Sequence, residues 1–225
     1  MSNRSIGLDE ALQAYVVACG TPPDEVLTDL ATETRERVPD RATMQIATEQ
    51  GALLTMLTAL ARPRLAVEVG TFTGYSSICI ARGLPPGGRL ICCDSSAEWT
   101  AVAERYWALA GVADRIELRL GNARETLRDL SDEPVDFAFV DADKGGYTDY
   151  YEQLLRRLAP DGLVVVDNTL AGGRAADPPP GDGTARAIAD FNAHVAADDR
   201  TWQVLLPVAD GLTLIRRRDA PTRPR

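Results

Sequence analysis

The sequence predicts an α/β protein built on a doubly wound, mostly parallel sheet, and three observations predict it. From residue 65 onward, short apolar runs alternate with stretches of helical periodicity. Those runs are apolar almost throughout, as in LAVEV, RLICC and GLVVV, which suits strands covered on both faces. The last two runs are separated only by a short turn containing Ala209, Asp210 and Gly211. A parallel return would need a crossover, so this pair must be antiparallel.

The first 62 residues read as a helical extension packed on the core, with helices over 8–19, 22–37 and 48–61 and a loop over 40–46. The second helix opens with Thr21 and two prolines, residues that favour a first turn. Residues 63–218 form the main domain. Its first strand covers 65–70, followed by a glycine-containing turn and a helix over 76–82. Next come a strand over 89–94 and a helix over 97–110 that stops at Gly111. A strand over 115–120 leads to a helix over 123–130, and a strand over 135–141 to a helix over 147–158. The fifth strand, 162–168, runs into a proline- and glycine-rich loop over 171–183 and a helix over 184–197. Strands over 203–207 and 212–217 close the sheet, and 219–225 reads as a frayed tail.

Bulk properties narrow the function classes. With 24 basic and 33 acidic residues the net charge is −9, which argues against nucleic acid or an anionic membrane surface as a partner. No apolar run approaches the ~18 residues of a membrane span, and the opening MSNRSIGLDEA lacks the apolar core of a signal peptide. Cys19, Cys79, Cys92 and Cys93 form no CxxC pair and read as reduced, core-type thiols in a cytoplasmic protein. Cys92 and Cys93 are neighbours in a strand, so they should face opposite sides of the sheet.

Ligands of open parallel sheets bind beyond the carboxyl ends of the strands. Every predicted strand delivers polar or glycine residues there. The first ends in Glu68-Val69-Gly70 followed by Thr71-Phe72-Thr73-Gly74-Tyr75-Ser76, and the second in Asp94. The third precedes Gly121-Asn122-Ala123, the fourth ends in Asp141-Ala142-Asp143-Lys144, and the fifth in Asp167-Asn168. Gly70 and Gly74 permit a tight turn and close backbone approach to a ligand. Their GxxxG spacing is neither the GxGxxG of a pyrophosphate site nor a P-loop. With an acid at Asp94 to accept from ribose hydroxyls, the pattern suits a nucleoside cofactor without a pyrophosphate, such as S-adenosylmethionine. Asp141, Asp167 and Asn168 offer hard oxygen ligands suited to a divalent cation, Mg²⁺ foremost, with Ca²⁺ and Mn²⁺ as alternatives. Lys144 is placed to act as a general base. The lone histidine, His194, lies in a predicted helix with no flanking motif, which excludes a histidine-based nucleophilic triad and a zinc site.

These segments resemble one family, the cation-dependent class I O-methyltransferases, which includes the caffeoyl-CoA and catechol O-methyltransferases. The matching segments are Met44-Gln45-Ile46 with Glu49-Gln50-Gly51, then 68–76, 140–144, 167–170 and 206–213, in the family's order. The resemblance implies a seven-stranded, Rossmann-like methyltransferase sheet of order 3-2-1-4-5-7-6 with strand 7 antiparallel. It implies that Met44 holds S-adenosylmethionine from above. Glu68, Gly70, Thr71, Gly74 and Ser76 would cradle its methionine portion, Asp94 would bind the ribose, and Ala123 would lie by the adenine. Asp141 would serve both cofactor and cation, Asp167 and Asn168 would complete the metal site, and Lys144 would take the proton. Homodimers are usual in the family, so a homodimer is expected.

The implied reaction is methyl transfer to a hydroxyl of a catechol-like phenol. Ala171 stands where many relatives carry tryptophan, Ala47 replaces a frequent proline, and 177–183 is locally distinctive. Ala171 follows the cation ligands directly and should reshape the acceptor pocket, so a non-catechol acceptor is the alternative. A nicotinamide-dependent reductase and a non-catalytic binding protein share the fold class but fit the motifs less well.

Overall fold

The computed structural model describes residues 7–130 and 132–218. Its sheet is built from β1 (Leu65–Val69), β2 (Arg89–Asp94), β3 (Ile116–Leu120), β4 (Val135–Val140), β5 (Leu158–Val166), β6 (Thr201–Leu206) and β7 (Leu212–Arg217). The strand order is 3-2-1-4-5-7-6. The first five strands run parallel, while β7 is antiparallel to both β5 and β6. This is the topology expected from the sequence.

Among the described residues, eight α-helices flank the sheet: α1 (Glu10–Cys19), α2 (Glu25–Arg37), α3 (Thr48–Ala61), α4 (Tyr75–Gly83), α5 (Ala97–Leu109), α6 (Ala123–Arg128), α7 (Tyr147–Arg157) and α8 (Gly183–Ala197). Strand alternation decides which side each residue serves. Leu65, Val67, Val69, Ile91 and Cys93 pack on the α7–α8 side with Tyr147, Tyr151, Leu154 and Phe191. Ala66, Leu90 and Cys92 face the α2–α5 side with Leu30, Leu54, Ile78 and Trp107. Cys92 and Cys93 therefore do point to opposite faces. α7 buries Tyr147, Tyr150, Tyr151, Leu154 and Leu155, the i, i+3, i+4, i+7, i+8 stripe of a helix laid on a sheet.

Several expected boundaries move. α2 starts at Glu25 because Asp24 caps it, accepting from the Leu27 N–H at 3.1 Å, whereas the two prolines keep the preceding backbone extended. The expected loop 40–46 is largely a 3₁₀ helix, Pro39–Met44, with proline in its first turn. α6 ends at Arg128, short of residue 130. β5 starts earlier than expected. Leu158 pairs with Val135, and a register shift carries Pro160-Asp161-Gly162, which reads as a turn, inside the strand. Cys19 is exposed, so the core reading holds for Cys79, Cys92 and Cys93 only. The expected tail at 219–225 lies outside the described residues. Among the described residues no helix is long and apolar enough to cross a membrane.

Candidate active site

β1 sets the first wall of the site. Gly70 leaves the strand at φ 93°, and a Cβ there would lie 2.0 Å from the Asp141 carbonyl oxygen. Only glycine lets the ends of β1 and β4 come this close. Gly74, also at φ 93°, caps α4 against Ala103. Between them the loop is pinned from two sides. Asp94 Oδ2 accepts the Thr71 and Phe72 N–H groups, each at 2.9 Å, and Oδ1 accepts the Ser96 N–H at 2.8 Å. From α2, the Thr34 hydroxyl donates to Thr73 Oγ1 at 2.9 Å, in a buried contact. Asp94 thus organises the loop with its own strand end, and a carboxylate holding three backbone donors is fixed in orientation.

Glu68 is fully buried in the middle of the sheet. Burial pushes its carboxyl up to about 7, opposed by the nearby polar groups of Ser76, Cys92 and Thr71. Cys92 Sγ donates to Oε2 at 3.3 Å.

The strand ends and the loops after them enclose one cavity of about 830 Å³. Met44, Gly70, Thr71, Ser76, Asp94, Ala123, Asp141, Lys144, Asp167 and Asn168 all line it. Ten of the twelve residues expected from the sequence therefore meet in one place. Glu68 and Gly74 do not line it; they sit behind the loop and shape it. The Phe72 and Trp99 rings also line the cavity, edge to face at 5.1 Å.

At the other end of the cavity, Lys144 Nζ donates to Asp141 Oδ1 at 2.8 Å, Asn168 Oδ1 at 2.5 Å and the Tyr147 hydroxyl at 2.7 Å. The fully buried Tyr147 in turn donates to the Asp167 carbonyl at 3.1 Å. Asn168 turns the chain sharply at φ 55°, a conformation asparagine tolerates better than most residues. Asp167 Oδ1 accepts the Asn168 N–H at 2.6 Å. Asp167 is 2% exposed. Burial, then the charge of Asp141, raise its pKa; Gln50, the Asn168 N–H and Lys144 oppose them. The loop after β5 is tied to the hairpin turn by Thr169 N–H to Gly211 O at 3.1 Å and Leu170 N–H to Asp210 O at 2.9 Å.

Among the described residues, one group of three His, Cys, Asp or Glu ligand atoms comes together, Glu152, His194 and Asp198, away from this cavity. Arg200 spans it, 2.7 Å from Glu152 and 2.6 Å from Asp198, so an internal cation already compensates these acids. His194 is exposed and pairs with Glu152 at 2.9 Å.

Gln50 and Trp99 line the cavity and Tyr147 holds Lys144, and the sequence reading gave none of the three a role. Gln50 carried a signal, being a polar residue four before Leu54 on the apolar face of α3. Tyr147 also belongs to the buried stripe of α7.

A sheet of this order with its last strand antiparallel, and a nucleoside-sized cavity at the parallel strand ends, defines the Rossmann-like methyltransferase class of fold. A family model described as O-methyltransferase matches residues 19–218, and the chain belongs to that family. The probable caffeoyl-CoA O-methyltransferase 2 of Dictyostelium discoideum is 38% identical over 198 residues, 84% of this chain and 85% of that protein. The caffeoyl-CoA O-methyltransferase of Eucalyptus gunnii is 34% identical, over 96% of this chain and 91% of its own length. Among solved structures, the SAH-bound methyltransferase PaMTH1 of Podospora anserina superposes with a TM-score of 0.88 at 28% identity, covering 97% of this chain and 100% of that one. The O-methyltransferase TomG of Streptomyces achromogenes, in complex with SAM, gives 0.81 at 32% identity, covering 92% and 96%.

Proposed function

We propose that this chain transfers a methyl group from S-adenosylmethionine to one hydroxyl of a catechol-like small molecule, assisted by a divalent cation, Mg²⁺ foremost. The observation that carries the reading is the Lys144 ammonium held between Asp141 Oδ1 and Asn168 Oδ1 in the wall of the cavity. Oxygens from two neighbouring strand ends converge on one positive charge, with the buried Asp167 carboxyl beside them. A hard cation fits that donor set. Family membership and the structural relatives solved with SAM or SAH support the cofactor.

In this reading Asp141, Asp167 and Asn168 hold the cation. When bound, it supplies charge that favours the ionised form of a coordinated hydroxyl. S-adenosylmethionine supplies an electrophilic sulfonium methyl. Thr71, Ser76, Asp94 and Ala123 fix the cofactor, with Met44 at the cavity mouth and Glu68 ordering the loop from behind. Lys144 donates three hydrogen bonds in the structure, all that an ammonium has. Asp141 and Asn168 would hold the cation with the oxygens that now accept from Nζ; Lys144, relieved of those two hydrogen bonds and having given up one proton to solvent, would as the neutral amine accept the proton of the acceptor hydroxyl. The phenolate oxygen forms its bond to the methyl carbon as the carbon–sulfur bond breaks. Holding both reactants in near-attack geometry can supply roughly 7–11 kcal/mol of the barrier. No covalent enzyme intermediate is needed.

The test is methyl transfer to a panel of catechols and matched monophenols, with Mg²⁺ and with a chelator. Turnover of catechols alone, lost on chelation, is expected. Chelator-resistant turnover, or turnover of monophenols alone, would refute the roles given to Asp141, Asp167 and Asn168 and leave the cofactor in place.

We also propose that the chain forms a homodimer in the cytoplasm. α1 buries none of its residues and exposes Tyr15, and the edge strand β6 exposes Trp202 and Val204, apolar surface a second copy could cover. Free thiols at all four cysteines suit a reducing compartment. Sedimentation at two protein concentrations checks the dimer.

A further inference from the structure

Gln50 has no role in the reaction as set out above. It stands on the buried face of α3 with Gly51, Leu54 and Thr58. Its side chain is 1% exposed and forms part of the cavity wall. Nε2 is buried, yet makes no hydrogen bond with any described protein atom. α3 packs against β4 and β5, the strands that lead to Asp141 and Asp167, and Gln50 lines the same cavity as those two carboxylates. Leaving a buried N–H₂ group without a partner costs stability, and a methionine or leucine would fill the same space without that cost.

The chemistry and position of the amide define its partner. A carboxamide nitrogen only donates, so its missing partner is an acceptor atom such as oxygen. A hard cation would bind Oε1, not Nε2, so the free nitrogen does not belong to the metal set. Its position along the sheet separates it from the cofactor end. Asp94 ends β2 and Ala123 follows β3, whereas Asp167 follows β5. With β1 and β4 between them, β2 and β5 are three strand spacings apart, about 14 Å. Gln50 is at the Asp167 end, where the oxygen to be methylated must sit.

We propose that Gln50 recognises the methyl acceptor, its Nε2 donating to an oxygen of the acceptor beside Asp167. The assignment rests on the O-methyl transfer reading above and adds a specificity determinant contributed by the N-terminal helices. A donor placed this way favours acceptors with an oxygen next to the reacting hydroxyl over phenols that lack one.

Gln50→Met removes the donor and keeps the shape. Binding of 4-nitrocatechol to the S-adenosylhomocysteine-loaded protein with Mg²⁺ is read from the absorbance of the phenol, and S-adenosylhomocysteine binding from calorimetry. The variant is expected to bind 4-nitrocatechol about tenfold more weakly, to bind S-adenosylhomocysteine within about twofold of the parent, and to melt at the same temperature or higher. A merely structural glutamine would lower the melting temperature instead. Unchanged 4-nitrocatechol binding, or equal weakening of both ligands, overturns the assignment. If the parent protein binds S-adenosylhomocysteine but not 4-nitrocatechol, the catechol reading fails and takes this assignment with it. Should Gln50→Met not fold, Gln50→Asn, which withdraws the amide by one carbon, is judged by the same two affinities.

Discussion

The Asp141 carbonyl oxygen occupies the space where a side chain at Gly70 would begin, 2.0 Å from its Cβ position. This contact sets how closely the end of β1 approaches the end of β4, and so the distance between the loop that precedes α4 and the Lys144 cluster. Gly70→Ala must both relieve that overlap and hold alanine at φ 93°. A cost of about 3 kcal/mol or more is expected. Thermal melting measures the loss, and calorimetry with S-adenosylhomocysteine should show binding weakened beyond what the melting temperature accounts for.

Asp94 holds three backbone N–H groups, so its substitution acts on the loop before it acts on any ligand. Asp94→Ala leaves those donors facing a cavity and removes the acid proposed to hold the ribose. S-adenosylhomocysteine affinity is expected to fall by a factor of about 10–100, from charge-assisted hydrogen bonds of about 1.5–3 kcal/mol. Asp94→Asn keeps one acceptor oxygen and should lose less. Equal losses in the two variants would show that the carboxylate charge, rather than the capping of Thr71 and Phe72, dominates.

The sheet was legible because its evidence is local and repeated. Period and composition mark β1 to β5, and the short Ala-Asp-Gly turn forces the antiparallel end. Residues at strand ends were legible for the same reason, since topology brings Asp94, Asp141 and Asp167 to one rim whatever the details. Contacts that depend on three-dimensional packing were not. Gln50 lies on a helix outside the sheet, and nothing near it in sequence says that α3 brings it to Asp167. The resemblance placed Glu68 in the cradle, and only the packing puts it behind the loop rather than on the cavity wall. Pro160-Asp161-Gly162 reads as a turn locally, yet pairing with β4 draws it into β5.

Glu68 should make the protein less stable as pH rises. Its folded-state pKa, about 7, lies above the ordinary 4.5. The stability tied to the neutral acid is therefore fully present below about pH 4.5 and is lost as pH rises through about 7. The size is on the order of 3 kcal/mol. Glu68→Gln, neutral at every pH, is expected to flatten the fall in melting temperature between pH 5 and 8. Asp167, whose pKa is also raised by burial, should add a slope of the same sign. A parent protein whose melting temperature rises across that window would contradict the buried, uncompensated state of Glu68.

Lys144 and Asp141 form an ion pair that is only partly buried, with side chains 21% and 15% exposed, so breaking it should cost little folding stability. The two residues separate in function. Lys144→Met removes the proposed proton acceptor, and turnover of a catechol is expected to drop by a factor of about 10²–10⁴ with S-adenosylhomocysteine affinity little changed. It also frees Asp141 Oδ1 and Asn168 Oδ1, so Mg²⁺ should bind the variant at least as tightly as the parent. Asp141→Ala should instead abolish turnover and weaken Mg²⁺ binding together, while the chain stays folded. Calorimetric titration of both variants with Mg²⁺ separates the roles. A fully active Asp141→Ala protein would remove the metal from the mechanism, and tighter Mg²⁺ binding by Lys144→Met would establish that the ammonium and the cation compete for the same oxygens.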